Sequence, residues 1–255
     1  MPSPPVRTRQ AVLKRAPMRR RSRLLLLVLS LPLVCGLLAL GIWQVERRAW
    51  KLDLIERVDA RVHAPAVPAP TRAEWPAIDK TADEYRRVQL TGAFLNDRET
   101  LVQAVTDLGG GFWVMTPLRA TDGSITLVNR GFVPGDRGDA ASRPEGQLGG
   151  EQTVEGLLRM SEPGGRFLRA NEPAADRWYS RDVAAIADAR GLDGPVAPYF
   201  VDAGAEAVPG GYPVGGLTVI RFNNNHLVYA LTWFALALML AAAVVFVWRH
   251  DRTRD

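Results

Sequence analysis

Three side chains near the C-terminal end stand at spacings suited to ligand chemistry. His226, Tyr229 and Trp233 fall at i, i+3 and i+7 at the head of residues 226–248, which run without a charge from Leu227 to Trp248. Seven helical steps of about 100° return almost to the starting direction, so His226 and Trp233 share one stripe, with Tyr229 close to it. An imidazole at the water-facing lip of an apolar helix has two readings. It is an interfacial residue whose second nitrogen bonds backbone, or it is an axial ligand of haem, with Trp233 packed on the macrocycle and a bilayer receiving the apolar tail. A second polar group, Asn129-Arg130-Gly131, interrupts the apolar run LVNRGFVP at 127–134. Either the strand ends there with Gly131 at a bulge or turn, or Arg130 projects from the sheet rim to a carboxylate, such as a propionate or an acidic partner patch.

Other chemistry is sparse. The three histidines are His63, His226 and His250, and the single cysteine is Cys35. That leaves no intrachain disulfide, no CxxC pair and no cysteine-based zinc or copper site. There is no HExxH or GxSxG motif, and Gly109-Gly110-Gly111 reads as a turn without the Lys-Ser/Thr of a phosphate loop. Asp136 and Asp139 lie in a Gly/Asp/Arg-rich loop, where paired carboxylates are solvated. The expectation is a protein that is not an enzyme.

The elements that position these residues begin with the membrane. The run from Leu227 to Trp248 spans roughly 33 Å as a helix, enough for a bilayer core. Residues 24–43, LLLLVLSLPLVCGLLALGIW, form a second uncharged run. It is long for a signal-peptide core and no small-x-small site follows it, so an uncleaved membrane helix is expected, with Pro32 tolerated. Helical spacing continues through 44–62, where Trp43, Arg47, Trp50, Leu54 and Val58 share a stripe; the tryptophans suit interfacial anchors as well as partner contacts.

Residues 1–23 form a basic arm with eight Lys or Arg and no acid; the tail 249–255 adds a net +1. Removing both from the chain's +5 leaves 24–248 at −4, so the basic balance belongs to the flanks and nucleic-acid binding is not expected. The arm places both termini in the cytoplasm and the intervening domain outside. That means a multi-pass protein of the bacterial inner membrane with a periplasmic domain, or of the mitochondrial inner membrane if eukaryotic.

Residues 63–79 hold Pro65, Pro68, Pro70 and Pro76 and read as an extended linker. Over 80–225 the periodicity becomes two. Strands are expected at 85–94, 100–105, 112–119, 125–129, 152–160, 199–202 and 217–221, with an Asp122-Gly123 hairpin and a surface loop at 134–150. One helix is expected at 180–190, capped by Ser180, packed through Val183, Ile186 and Ala187 and ended by Gly191. The fold class is a membrane protein with two transmembrane helices flanking a mainly antiparallel β (α+β) extracytoplasmic domain, a barrel or sandwich.

Five stretches in order, GIWQVERRAWK (41–51), EYRRVQLTGAF (84–94), TPL (116–118), LVNRGFVP (127–134) and NNHLVYALTWFALA (224–237), resemble the surfeit locus protein 1 family of cytochrome c oxidase assembly factors. Phe132 stands where many relatives carry Trp. The resemblance implies a non-enzymatic helper that binds or hands over haem a for oxidase subunit I, with His226 as the ligand and Trp233 as the family tryptophan. It makes subunit I, its assembly machinery and the lipid bilayer the partners, and Trp43, Gln44, Arg47, Trp50, Asn129, Arg130 and Gly131 the motif residues to watch. A membrane-tethered enzyme of unknown activity, or a tether for oxidase subunits without haem, are the alternatives.

Overall fold

The computed structural model describes residues 20–166, 169–220 and 222–252; most of the basic arm and the end of the tail lie outside them. The chain divides into a helical unit, built from residues up to 54 and from 222 onward, and an outer domain of residues 55–221.

In the helical unit, α1 (Arg20–His63) is one continuous helix of 44 residues, about 66 Å long at 1.5 Å per residue, with Pro32 inside it. The second long helix, α4 (His226–Arg252), has 27 residues. Both are long and apolar enough to cross a membrane. Each shields one narrow seam while its other faces carry exposed Leu, Val and Phe, the surface a bilayer would cover. On α1 the seam is Ser30, Val34, Leu37, Gly41 and Gln44; on α4 it is His226, Ala230, Trp233, Ala237 and Leu240. Steps alternating between three and four residues are the signature of helices packed side by side. Small residues mark the closest approach, where a side chain on Gly41 would strike the Phe234 ring.

The outer domain is a mainly antiparallel sheet closed on itself. Its strands are β1 (Val67–Pro68), β2 (Arg87–Phe94), β3 (Thr100–Thr106), β4 (Gly109–Arg119), β5 (Ile125–Pro134), β6 (Glu151–Met160) and β7 (Val196–Ala203). Five of them close a ring, β2–β6–β7–β5–β4 and back to β2, with β1 beside β2 and β3 beside β4. Only β1–β2 and β5–β7 run parallel. A single helical turn, α2 (Lys80–Asp83), precedes β2, and α3 (Val183–Ala189) precedes β7. The architecture is therefore an α+β domain between two membrane-type helices.

Alternation along the strands sorts the core into two layers. Val88, Leu90, Leu118, Val128, Leu158, Ala197, Tyr199 and Val201 come from all five ring strands and fill the barrel. Val102, Met115, Leu127 and Phe200 face the other way and pack with Trp178, Val183 and Ile186 under α3. Both faces of β5 and β7 are thus covered, which is why β5 is buried from Ile125 to Val133 instead of alternating.

Several expectations need correction. The proline-rich stretch at 63–79 is not a plain extended linker: β1 pairs with β2 and starts the sheet, a 3₁₀ turn follows at Trp75–Ala77, and Trp75 and Ile78 pack on the barrel core. The three glycines at 109–111 open β4 instead of forming a turn. The stretch at 134–150 contains short 3₁₀ turns and buries Arg143 and Gly146, so it is not simply a surface loop. Asp182, not Ser180, caps α3, accepting from Ala185 N at 3.2 Å. Ser180 is engaged elsewhere, donating to Glu162 O at 2.7 Å and accepting from Gly165 N at 3.0 Å. Residues 217–220 form no strand, and Thr218 instead donates its hydroxyl to Asp202; Arg221 lies outside the described residues.

The bulge at Gly131 is a sensitive point of this fold. Its φ of 131° is open to glycine, and a Cβ there would meet the carbonyl of Val214, whose segment pairs with Phe132. Gly131→Ala should destabilise the outer domain by about 1–3 kcal/mol or more. Chemical unfolding of the two proteins, followed by tryptophan fluorescence, measures this directly.

Candidate functional site

In the helical unit, His226 is the first residue of α4 and is half-buried on its seam. Its Nδ1 lies 2.8 Å from Oε1 of Gln44, itself 9% exposed. An oxygen facing Nδ1 fits the tautomer in which Nδ1 donates and Nε2 keeps the lone pair. No hydrogen bond to Nε2 occurs among the described residues. Trp233 is half-buried on the same seam, two turns along. Tyr229 is not: at 54% exposed it flanks the seam, whose i+4 position is Ala230, only 1% exposed. The seam's first step from His226 is four residues, to Ala230, so Tyr229 at i+3 lies beside it, close to the stripe as the spacing placed it.

The other motif residues of α1 separate by face. Trp43 and Trp50 are exposed, and the Arg47 guanidinium lies 4.1 Å from the centre of the Trp50 ring. Gln44 alone of the four points into the seam. Nothing in its residue type announced the partner, since an amide on a helix face bonds whatever the neighbouring helix presents.

In the outer domain the Asn129-Arg130-Gly131 motif splits across the sheet. Trp113 pairs with Phe132 and Met115 with Asn129, so Arg130 and Gly131 together oppose a single residue, and β5 bulges but does not end. Asn129 faces outward. It donates to Asp202 Oδ1 at 2.7 Å and accepts from Gly131 N at 3.2 Å. Asp202, 3% exposed, also accepts from Arg181 Nη1 at 2.9 Å, Arg159 Nη1 at 2.7 Å and Thr218 Oγ1 at 3.0 Å. Burial raises the carboxyl of neighbouring Glu162, but the hydrogen bond and charge of Arg181, with the charge of Arg159, hold it below the ordinary value. The residues at the centre of this network were not singled out from the sequence. An aspartate inside the apolar run YFVDA was the available signal.

Arg130 faces inward, contrary to the expectation that it projects from the rim. It is 4% exposed, lies 4.7 Å over the Phe94 ring and donates to the carbonyl of Gly146. Burial pushes its pKa down to about 10; the Glu99 carboxylate opposes this and the Arg143 guanidinium adds to it. Among the described residues no three His, Cys, Asp or Glu side chains gather to hold a metal ion.

Two helices suited to a bilayer, bracketing a closed β-domain, define a membrane-anchored protein whose polar centres are a helix-seam histidine and a strand-borne Asn-Arg-Gly bulge. Residues 31–238 match the model of the SURF1 family. Surfeit locus protein 1 of Homo sapiens is 37% identical over 227 residues, covering 82% of this chain and 71% of that protein. The SURF1-like protein of Monosiga brevicollis is 36% identical over 241 residues, covering 89% and 88%. Surfeit locus protein 1 of Xenopus tropicalis is 35% identical over 228 residues. The chain belongs to the SURF1 family, in agreement with the resemblance carried by its motifs.

The Asp202 network makes two expectations concrete. Asp202→Ala leaves two buried guanidinium groups short of a counter-charge and should destabilise the domain by about 3–5 kcal/mol. Asn129→Ala removes one donor and should cost about 1–3 kcal/mol. Glu162, with its folded pKa depressed, lends stability that is present above its unfolded pKa and lost as the pH falls through the folded value. Urea unfolding across pH 3–6 should therefore show an acid decline that Glu162→Gln makes shallower.

Proposed function

We propose that this protein is an assembly factor for haem-copper cytochrome c oxidase that binds haem a through His226 and helps its insertion into subunit I. Membership of the SURF1 family across most of the chain supports the assembly role. The observation that carries the haem reading is the Gln44–His226 contact. A histidine that ligates a metal through one nitrogen commonly donates the other N–H to a fixed acceptor, which sets the tautomer and the ring orientation. Gln44 supplies that acceptor, so His226 fits a haem iron through Nε2. Trp233 stands on the same seam to line an apolar macrocycle, and the exposed apolar surface of α4 suits its hydrophobic substituents.

The bound group would bring the redox and ligand-binding chemistry of iron; the chain would bring the imidazole nitrogen of His226 and the apolar wall. With its ring held by Gln44, His226 would offer the group one nitrogen from this chain. In a bacterium the protein resides in the inner membrane with the outer domain in the periplasm; in a eukaryote it resides in the mitochondrial inner membrane.

Reduced-minus-oxidised spectra of membranes from a deletion strain should lose most of the oxidase haem a signal, and the gene should restore it. In protein purified from cells making haem a, His226→Ala should abolish or shift the Soret band. An unchanged band overturns the ligand assignment and leaves a haem-free tether for oxidase subunits, seen as oxidase subunits co-purifying without pigment.

A further inference from the structure

The open end of the β-barrel holds a buried guanidinium, one nitrogen of which has no hydrogen-bond acceptor among the described residues. Val128 belongs to the barrel core, and Arg130, two residues on along β5, occupies the same inner face. There the ends of β2 and β7 and the start of β6 surround a cavity of about 100 Å³, lined by Phe94, Val128, Arg130, Leu148, Val154 and Ala203 among others. One nitrogen of the guanidinium, Nη2, is taken by Gly146 O, and one face of the group by the Phe94 ring. The other nitrogen, Nη1, is buried and has no hydrogen-bond partner. A buried cationic N–H without an acceptor carries its full desolvation cost, so something with a lone pair belongs beside it.

The nearest charges do not supply it. Glu99 is paired with Arg143, a second buried guanidinium, so the trio Arg130, Arg143 and Glu99 carries two positive charges against one negative. A single anion beside Arg130 would balance this trio, since Glu206 at the cavity is exposed to solvent. The rest of the pocket says which kind. Its walls at Phe94, Val128, Leu148, Val154 and Ala203 are hydrocarbon, and its volume is that of roughly three waters. Two carboxylates, Glu155 and Glu206, also line it. Glu155 is held by Arg87 at 2.9 Å, while Glu206 is exposed and forms no ion pair among the described residues. These acids disfavour a second negative charge near the mouth.

We propose that the mouth of the barrel is a binding site for a monocarboxylate carried on a short apolar stem, with Arg130 Nη1 donating to the carboxylate and the barrel wall covering the stem. Barrel mouths are common ligand sites, and a planar guanidinium is matched to a carboxylate. The site lies wholly in the outer domain and is independent of the haem reading: neither His226 nor either long helix contributes to it.

Propionate is the probe. Saturation-transfer NMR on the full-length protein in deuterated detergent should give a saturable propionate signal. Propionamide, the neutral analogue, should give none, and succinate should bind more weakly because of its second charge. Arg130→Met should weaken propionate by at least about tenfold, the loss of one charge-assisted bond. Ala207→Phe provides a second test, because Ala207 is an exposed residue of the lining and a phenyl group there competes with a ligand for the pocket. It should abolish the signal and leave the unfolding midpoint unchanged. Equal propionate binding by wild-type and Ala207→Phe protein, equal response to propionamide, or no saturable signal from the wild type overturns the proposal. None of these outcomes bears on the Soret band, so this site and the haem assignment stand or fall separately.

Discussion

A carboxylate removed from water must be answered by donors, and Asp202 is answered by four of them. They come from four separate parts of the outer domain: Asn129 from β5, Arg159 from β6, Arg181 from the segment before α3, and Thr218 from the stretch after β7. A buried ion pair adds little net stability over an apolar one of the same shape, but it penalises any arrangement that leaves a member unpaired. The network therefore acts as a register device. It holds β7 between β5 and β6, draws the 216–218 segment over the sheet, and fixes the strand that carries the Asn-Arg-Gly motif. Phe200 beneath it receives the faces of both arginines, which ties the charged layer to the apolar layer under α3.

Because that strand is fixed, its alternation sends adjacent side chains to different tasks, and a one-residue bulge follows them. Asn129 joins the network on the outside of the barrel, and Arg130 enters the inside. Gly131 absorbs the backbone distortion between them, where the Val214 segment comes too close for any side chain. The motif is thus one structural unit with two environments. Its arginine is costly to bury, and it is buried where a cavity gives access to it.

The helical unit follows different physics. Lipid offers no hydrophobic drive for two apolar helices to associate, so packing and hydrogen bonds decide their contact. Gly41 admits the Phe234 ring, and Gln44, polar in an otherwise apolar seam, finds its partner in His226. The same bond that joins the helices orients the imidazole. A structural role and a ligand-presenting role are therefore compatible in one contact.

The sequence by itself determined the two long helices, most strands, the Asp122-Gly123 hairpin and the family, because these are written in local periodicity, turn chemistry and contiguous motifs. It also picked out His226 and Arg130 as residues out of keeping with their apolar surroundings. Only the tertiary structure decided what those residues meet. The closure of β4 onto β2 and the parallel β5–β7 pairing are contacts between segments distant in the chain, invisible to local pattern. Burial of β5 and β7 on both faces erased the alternation that would have marked strand 125–134 at full length. Ser180 is a good cap in isolation and lost that place to tertiary partners. Tyr229 flanks the seam because the partner helix takes the i+4 residue, Ala230, in the first step from His226, and which of i+3 and i+4 is covered depends on that partner. Arg130 faces inward because it continues the alternation from Val128, and which face of the strand is the inside is decided by the closure of the sheet, not by any count along the sequence.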